Sequence, residues 1–210
     1  MIHLAQLRFQ YSSDSKVLTF PDWNVEQGEH ALILGFSGSG KTTLLHLLAG
    51  LLTPKSGTLS VGKKDLATIS GSKLDKYRGQ NIGLVFQKPH LINALSLEKN
   101  LLLAQYMAGL KQDKKAVAKV IDTLGLTHRK DALIHTLSQG EAQRASIARA
   151  VLNNPLVILA DEPTSSLDDD NCERVLHILQ EQARRYQATL VIATHDQRVK
   201  DKIDKQYIMG

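Results

Sequence analysis

The chain has 210 residues, 42% of them apolar and 22% charged, the balance of a globular domain rather than of a disordered or low-complexity segment. Its one cysteine, Cys172, excludes an internal disulfide, so the fold must rest on an apolar core that a chain of this length can bury. The net charge is +5, but the densest basic stretches (Lys63-Lys64, Lys111 to Lys119, Lys200 to Lys205) are interrupted by acids and apolar residues; they read as solvated faces, and no direct nucleic-acid contact is expected.

In chain order, residues 4–9 and 31–34 read as strands, and 41–52 as a helix apolar nearly all round and therefore buried. Residues 81–86, 156–160 and 190–193 are short apolar runs of the kind covered on both faces in a parallel sheet. Val117, Val120, Ile121 and Leu124 form a helical stripe that Gly125 ends; Cys172, Val175, Leu176, Leu179, Ala183 and Tyr186 form a longer one. Strands alternating with helices predict an α/β fold with a mostly parallel, helix-covered sheet. From residue 89 to about 137–140 the rhythm breaks into helical segments without a strand, read as a helical lobe inserted into a single domain spanning 1–210. No apolar stretch approaches the ~18–20 residues needed to span a bilayer. The opening MIHLAQLRFQ lacks a charged leader followed by an apolar segment, so no signal peptide is expected either.

Gly35-Phe36-Ser37-Gly38-Ser39-Gly40-Lys41-Thr42 matches the phosphate-loop pattern G-x-x-x-x-G-K-[ST], with a strand before it and a helix after it. Glycines let successive backbone N–H groups turn inward around a phosphate, and the helix N-terminus adds its positive dipole end. Lys41 brings a mobile cation to the β- and γ-phosphates, and the Thr42 hydroxyl suits Mg²⁺. The expectation is a protein that binds a nucleoside triphosphate.

Residues 156–162, LVILADE, form an apolar strand ending in two acids. In a phosphate-loop protein Asp161 fits the carboxylate that holds Mg²⁺. Glu162, expected to point the opposite way along an extended chain, fits the general base for an attacking water. Residues 137–144, LSQGEAQR, open a helix with Ser138 and Gly140 at its N-cap and first turn and Ala145, Ala148, Val151 and Leu152 in its stripe.

The phosphate loop, Gln87 after the strand at 82–86, LSQGEAQR, LVILADEP, Ser166-Leu167-Asp168 and His195 after the strand at 190–194 follow one another in the order and spacing of an ATP-binding-cassette (ABC) ATPase. The resemblance covers essentially the whole chain. It implies a phosphate-loop core, an inserted helical subdomain and a small N-terminal antiparallel β region. It further implies ATP held by Gly35, Ser37, Gly38, Ser39, Gly40, Lys41, Thr42 and Thr43, with Tyr11 stacked on adenine. Thr42, Gln87 and Asp161 would hold Mg²⁺, with Gln87 also sensing the γ-phosphate. Lys41, Gln87, Glu162 and His195 would be the catalytic set, with His195 the switch histidine on the γ-phosphate. Asp168 would communicate between two nucleotide sites, and Ser138 and Gly140 would contact the γ-phosphate of an opposite subunit, making a homodimer with ATP at its interface.

The resemblance is closest to the LolD/MacB/FtsE group and implies the ATPase subunit of a transporter, working with an integral membrane subunit and peripheral to the cytoplasmic face of the inner membrane. Lys88, His90, Leu91 and Ile92 are expected to rim the docking groove. The sequence departs from the pattern at Gln139, where glycine is usual. If that position takes a positive φ, glutamine is strained there. Phe36 replaces the usual Pro, and Ser165-Ser166 stands where the group commonly has Gly-Asn. Rival readings are a soluble ABC ATPase acting on nucleic acid or ribosomes, and a nucleotide-dependent binding module that hydrolyses nothing.

Overall fold

Burial that alternates along β-strands early in the chain and is continuous along later ones marks two sheets, seen here in a computed structural model that describes residues 1–165 and 167–209. Ser166, part of the expected Ser166-Leu167-Asp168 motif, lies outside the described residues. The chain opens with β1 (Ile2–Phe9), β2 (Leu18–Phe20) and β3 (Trp23–Val25), and β4 (His30–Gly35) leads into α1 (Lys41–Leu48). Then come β5 (Ser56–Val61), β6 (Lys64–Asp65), α2 (Gly71–Asn81) and β7 (Ile82–Val85). Helices α3 (Leu97–Met107) and α4 (Lys114–Thr123) precede α5 (Gln139–Val151) and β8 (Val157–Asp161). The remainder is α6 (Asp169–Tyr186), β9 (Thr189–Thr194), α7 (Gln197–Lys200) and β10 (Lys205–Met209).

The first sheet is antiparallel, with β1 paired to β2, β3 and β5, and β5 to β6. Leu4 and Leu7, an odd spacing, both face its core because the chain bulges between them. Gln6 takes φ 50° there, its N–H donating to Asp22 Oδ1 at 2.7 Å. Gly57 packs against the bulge so closely that a Cβ would lie 2.4 Å from the Gln6 carbonyl oxygen.

The second sheet is wholly parallel, in the order β10-β4-β9-β8-β7, and separates two apolar cores. Leu32, Leu34, Ile158, Ala160, Leu190 and Ile192 face α3 to α6. Ala31, Ile33, Val157, Leu159, Val191 and Ala193 face α1 and the antiparallel sheet. These continuous apolar runs are those of strands covered on both sides. Register brings Leu34 opposite Thr194 and Asp161 opposite Ala193, so β4, β9 and β8 end side by side. In a parallel sheet that edge is where ligands bind.

Helix ends follow local chemistry. The helix expected over 41–52 stops at Leu48, because Gly50 turns left-handed at φ 63° and Leu51 N–H returns to the His46 carbonyl at 2.8 Å. Gly125, at φ 66°, ends α4 in the same way, with Leu126 N–H on the Ile121 carbonyl. Between β7 and α5 the described residues hold α3, α4 and short 3₁₀ turns, with a lone antiparallel bridge between Ser96 and Leu133. Among the described residues no helix is long and apolar enough to cross a membrane.

Helix α5 lies so close to β7 that a Cβ on Gly83 would sit 2.4 Å from the Ala150 carbonyl oxygen. Because that neighbour is backbone, Gly83→Ala must pry the helix off the sheet. A loss of roughly 1–3 kcal/mol is expected from such overpacking, read as a lowered Tm in thermal unfolding.

Candidate active site

The strand end of β4 continues into a loop whose glycines serve distinct purposes. Gly38 and Gly40 take φ 81° and 97°, and nothing stands within 4 Å of where a Gly38 Cβ would be, so the backbone lies bare on that side. Gly35 answers to packing: a Cβ there would lie 2.5 Å from Ser39 Oγ and 2.9 Å from the Met209 carbonyl oxygen. Gly40, the N-cap of α1, has no side chain to satisfy the first-turn N–H groups, which suits them to an anion. The Lys41 ammonium reaches into the loop, donating to the carbonyls of Gly35 at 2.9 Å and Phe36 at 3.1 Å.

Two polar atoms beside this loop, Ser39 Oγ and Asp161 Oδ1, are buried without a hydrogen-bond partner among the described residues. Native interiors rarely leave such atoms unpaired, and their position at a phosphate-type loop fits a polar, charged ligand. Burial pushes the Asp161 carboxyl above its ordinary range, opposed by the Thr42 hydroxyl and more weakly by His46 and Lys41.

Glu162 departs from expectation. It does not continue the extended chain: it takes φ 45°, with its N–H donating to the Ala193 carbonyl at 2.8 Å. This left-handed kink, not strand alternation, aims its carboxylate at β9. Oε1 lies 2.6 Å from His195 Nδ1, and Oε2 accepts from Thr194 Oγ1 at 3.0 Å. Gln87 Nε2 donates to Ser165 Oγ at 3.0 Å, and that hydroxyl donates to the Glu162 carbonyl at 3.1 Å. A buried Gln143 on α5 holds the next carbonyl, that of Pro163, at 3.2 Å.

Tyr11, Ser37, Gly38, Gly40, Lys41, Thr42, Thr43, Gln87, Glu162 and His195 line one cleft of about 650 Å³. The Tyr11 ring is exposed, packed edge-on against Phe9, and its hydroxyl shares a 2.8 Å hydrogen bond with Thr43 Oγ1. Ser15, Lys16 and Leu18 also line the cleft; the sequence held no signal for them, since a short polar loop and the first residue of a three-residue strand have no pattern of their own.

Ser138 and Gly140 do not line this cleft. Ser138 caps α5 in a capping box with Glu141, and Gly140 lines a separate cavity of about 750 Å³ with Arg144, Leu167 and Arg174. Gln139 is the first helical residue of α5 and is not among the residues with positive φ, so the strain considered for glutamine there does not arise. The Asp168 carboxylate caps α6, accepting from the backbone and side-chain nitrogens of Asn171, both at 2.8 Å.

A glycine-rich turn entering a buried helix, with carboxylates at the end of a neighbouring strand, defines a phosphate-loop nucleoside triphosphatase. The comparisons narrow this. The sequence model of the ABC transporter family matches residues 18–165. The lipoprotein-releasing system ATP-binding protein LolD of Saccharophagus degradans is 36% identical over 91% of this chain and 85% of its own. HrtA of Staphylococcus aureus (strain MRSA252), whose name associates it with hemin import, is 40% identical over 92% and 88%. The dimeric post-hydrolysis state of the ATP-binding cassette MJ0796, bound to ADP and Pi, superposes with TM-score 0.88 at 28% identity, covering 100% of this chain and 94% of that one. The chain belongs to the ABC transporter family. It is an ATP-binding, ATP-hydrolysing subunit of the kind that powers a membrane partner.

The start of α5 also carries a pH signature. Arg129, 2.8 Å away, and the Ser138 N–H hold the Glu141 carboxyl down at about 2, against an ordinary 4.5. A carboxyl depressed on folding stabilises fully above its unfolded pKa and progressively less as pH falls toward the folded one. Glu141→Gln should therefore flatten the fall in Tm between pH 4.5 and about 2, while Asp196, also held at about 2, keeps a slope of its own.

Proposed function

We propose that two copies of this chain close head to tail on two ATP molecules and that cleavage of the γ-phosphate releases them, driving an integral membrane subunit. The observation that carries this reading is the register of β4, β9 and β8, which delivers Lys41, His195 and Glu162 into one cleft. In it, Gly35, Ser37, Gly38, Ser39 and Gly40 cradle the phosphates with backbone N–H groups. Thr43 steadies Tyr11 against the adenine. Thr42, Gln87 and the buried Asp161 are the residues that would hold Mg²⁺, which supplies charge neutralisation between the β- and γ-phosphates. Among the described residues no cluster of three His, Cys, Asp or Glu side chains forms a metal cage, as suits an ion held largely by phosphate and water.

Glu162 is the general base. Its carboxylate, fixed by Thr194 and His195, takes the proton of the attacking water, and His195 faces the γ-phosphate from the adjacent strand. Lys41 neutralises charge on the terminal phosphate. Ser138 and Gly140 lie outside their own cleft, and α5 presents its N-terminus for the γ-phosphate of the partner's ATP. Asp168, the N-cap of α6, is the residue that relays between the two sites. Glu162→Gln should still bind ATP and form a persistent dimer while turnover falls by about 10²–10⁴, the usual worth of a positioned base. Equal phosphate release from mutant and wild type, in a single-turnover assay, removes Glu162 from this role.

The segment 89–140 is the subdomain that receives the membrane subunit, and Lys88, His90, Leu91 and Ile92 rim its groove. His90 takes φ 46°, with Arg149 from α5 donating to its carbonyl at 2.6 Å; Phe86 and Arg149 line a hollow of about 200 Å³ nearby. Similarity to LolD supports a membrane partner of the export or mechanotransmission type, with this chain at the cytoplasmic face of the inner membrane. Relatives named for lipoprotein release and for hemin import share this cassette, which supports placing cargo choice in the membrane subunit. Leu91→Ser with Ile92→Ser should abolish co-purification with that subunit and leave ATP affinity unchanged; retained co-purification refutes the groove.

A further inference from the structure

Arg198 on α7 lies just beyond the switch histidine and has no part in the steps above. Beside it, Asp196 has a side chain only 10% exposed, and the Arg198 guanidinium grips it with Nε at 2.9 and 3.2 Å and Nη2 at 2.7 Å. Thr164 Oγ1 donates to the same carboxylate at 2.9 Å. The remaining donors of the fork face away from Asp196. Nη1 reaches Asp169 Oδ1 at 2.7 Å and the Leu167 carbonyl at 3.2 Å, and Nη2 lies 3.5 Å from the Thr164 carbonyl. Leu167 and Asp169 are the two neighbours of Asp168.

On its other side Asp196 continues into the catalytic groups. Its N–H donates to Thr194 Oγ1 at 3.0 Å, and that hydroxyl donates to Glu162 Oε2 at 3.0 Å. An unbroken run of hydrogen bonds thus joins Glu162 and its partner His195, through Thr194, Asp196 and Arg198, to both flanks of Asp168. Its two ends differ in character. The Asp196 grip is sheltered from solvent, whereas Asp169 is 89% exposed and its bond is readily exchanged. A planar fork with five donors can hold a carboxylate on one side and reach a second loop on the other, which a lysine's point charge cannot.

We propose that Arg198 is a positioning residue that ties the loop carrying Glu162 and His195 to the segment carrying Asp168, so that the γ-phosphate-facing groups of one site and the contact with the second site shift together. This rests on the reading in which Asp168 relays between the two sites of the dimer. Arg198 does not line the cleft and acts through its partners, so its removal changes the linkage between sites and leaves the affinity of one site alone.

The test is ATPase rate against ATP concentration for the full-length wild type, Arg198→Ala, Arg198→Lys, Asp169→Ala and Asp168→Ala, alongside Tm and ATP affinity of the monomer. Two linked sites give the wild type a Hill coefficient approaching about two. Arg198→Ala and Asp169→Ala should bring it toward one with monomer affinity unchanged, and Arg198→Lys should not restore it. Should Arg198→Ala fail to fold, Asp169→Ala, at an exposed carboxylate, decides alone. If Asp168→Ala lowers the coefficient while Asp169→Ala and folded Arg198→Ala keep the wild-type value, or if Arg198→Lys restores it, the proposal is overturned. A wild-type coefficient of one, or no effect of Asp168→Ala, instead overturns the relay reading and the proposal with it.

Discussion

The parallel pairing of β4 with β9 and of β9 with β8 is the constraint on which the site depends. Each strand is packed on both faces, so a one-residue slip would exchange its two side-chain sets between two differently shaped, close-packed cores. That fixed register places the phosphate loop, Asp161 with Glu162, and Thr194 with His195 at neighbouring strand ends. Packing thus sets the catalytic distances. The 2.6 Å approach of His195 to Glu162 combines the alignment of Asp161 with Ala193 and the left-handed kink at Glu162.

Around this edge the polar groups fall into two sets. Lys41, Asp161, Glu162 and His195 converge within one protomer, and Asp161 is costly to bury, as its raised carboxyl pKa shows. The start of α5 lies elsewhere and is self-sufficient: Ser138, Glu141 and Arg129 satisfy one another. The capping box fixes the start of this helix apart from the chain's own phosphate loop. The buried glutamine Gln143 nevertheless links α5 to the turn after Glu162, so the helix and that turn are tied together.

Much of this was legible in the sequence, because the strands are continuous apolar runs and the phosphate loop combines a fixed spacing with strand-before, helix-after context. What escaped was whatever depends on backbone twist or on contacts distant along the chain. The early stop of α1 turns on one left-handed glycine, Gly50, inside an otherwise unbroken apolar run. The Gln6 bulge hides in a strand whose alternation simply skips a beat. Glu162 looked like the next residue of an extended strand, and no residue type announces a kink there. Gln139 looked strained by comparison with glycine, but the start of a helix makes no such demand. Arg198 was one basic residue among many, and only the fold brings Asp169 and Asp196 to its two sides.

The left-handed backbone at Glu162 has a consequence for how such a chain can change. A conformation of that kind costs a side-chain-bearing residue about 1–3 kcal/mol, and glycine is the residue most at ease in it. On the role proposed for Glu162, relief of that strain and ATP cleavage pull in opposite directions at a single codon. Replacement by glycine would relieve the backbone while forfeiting the hydrogen bonds with Thr194 and His195, so strain and side-chain anchoring are balanced at this one position.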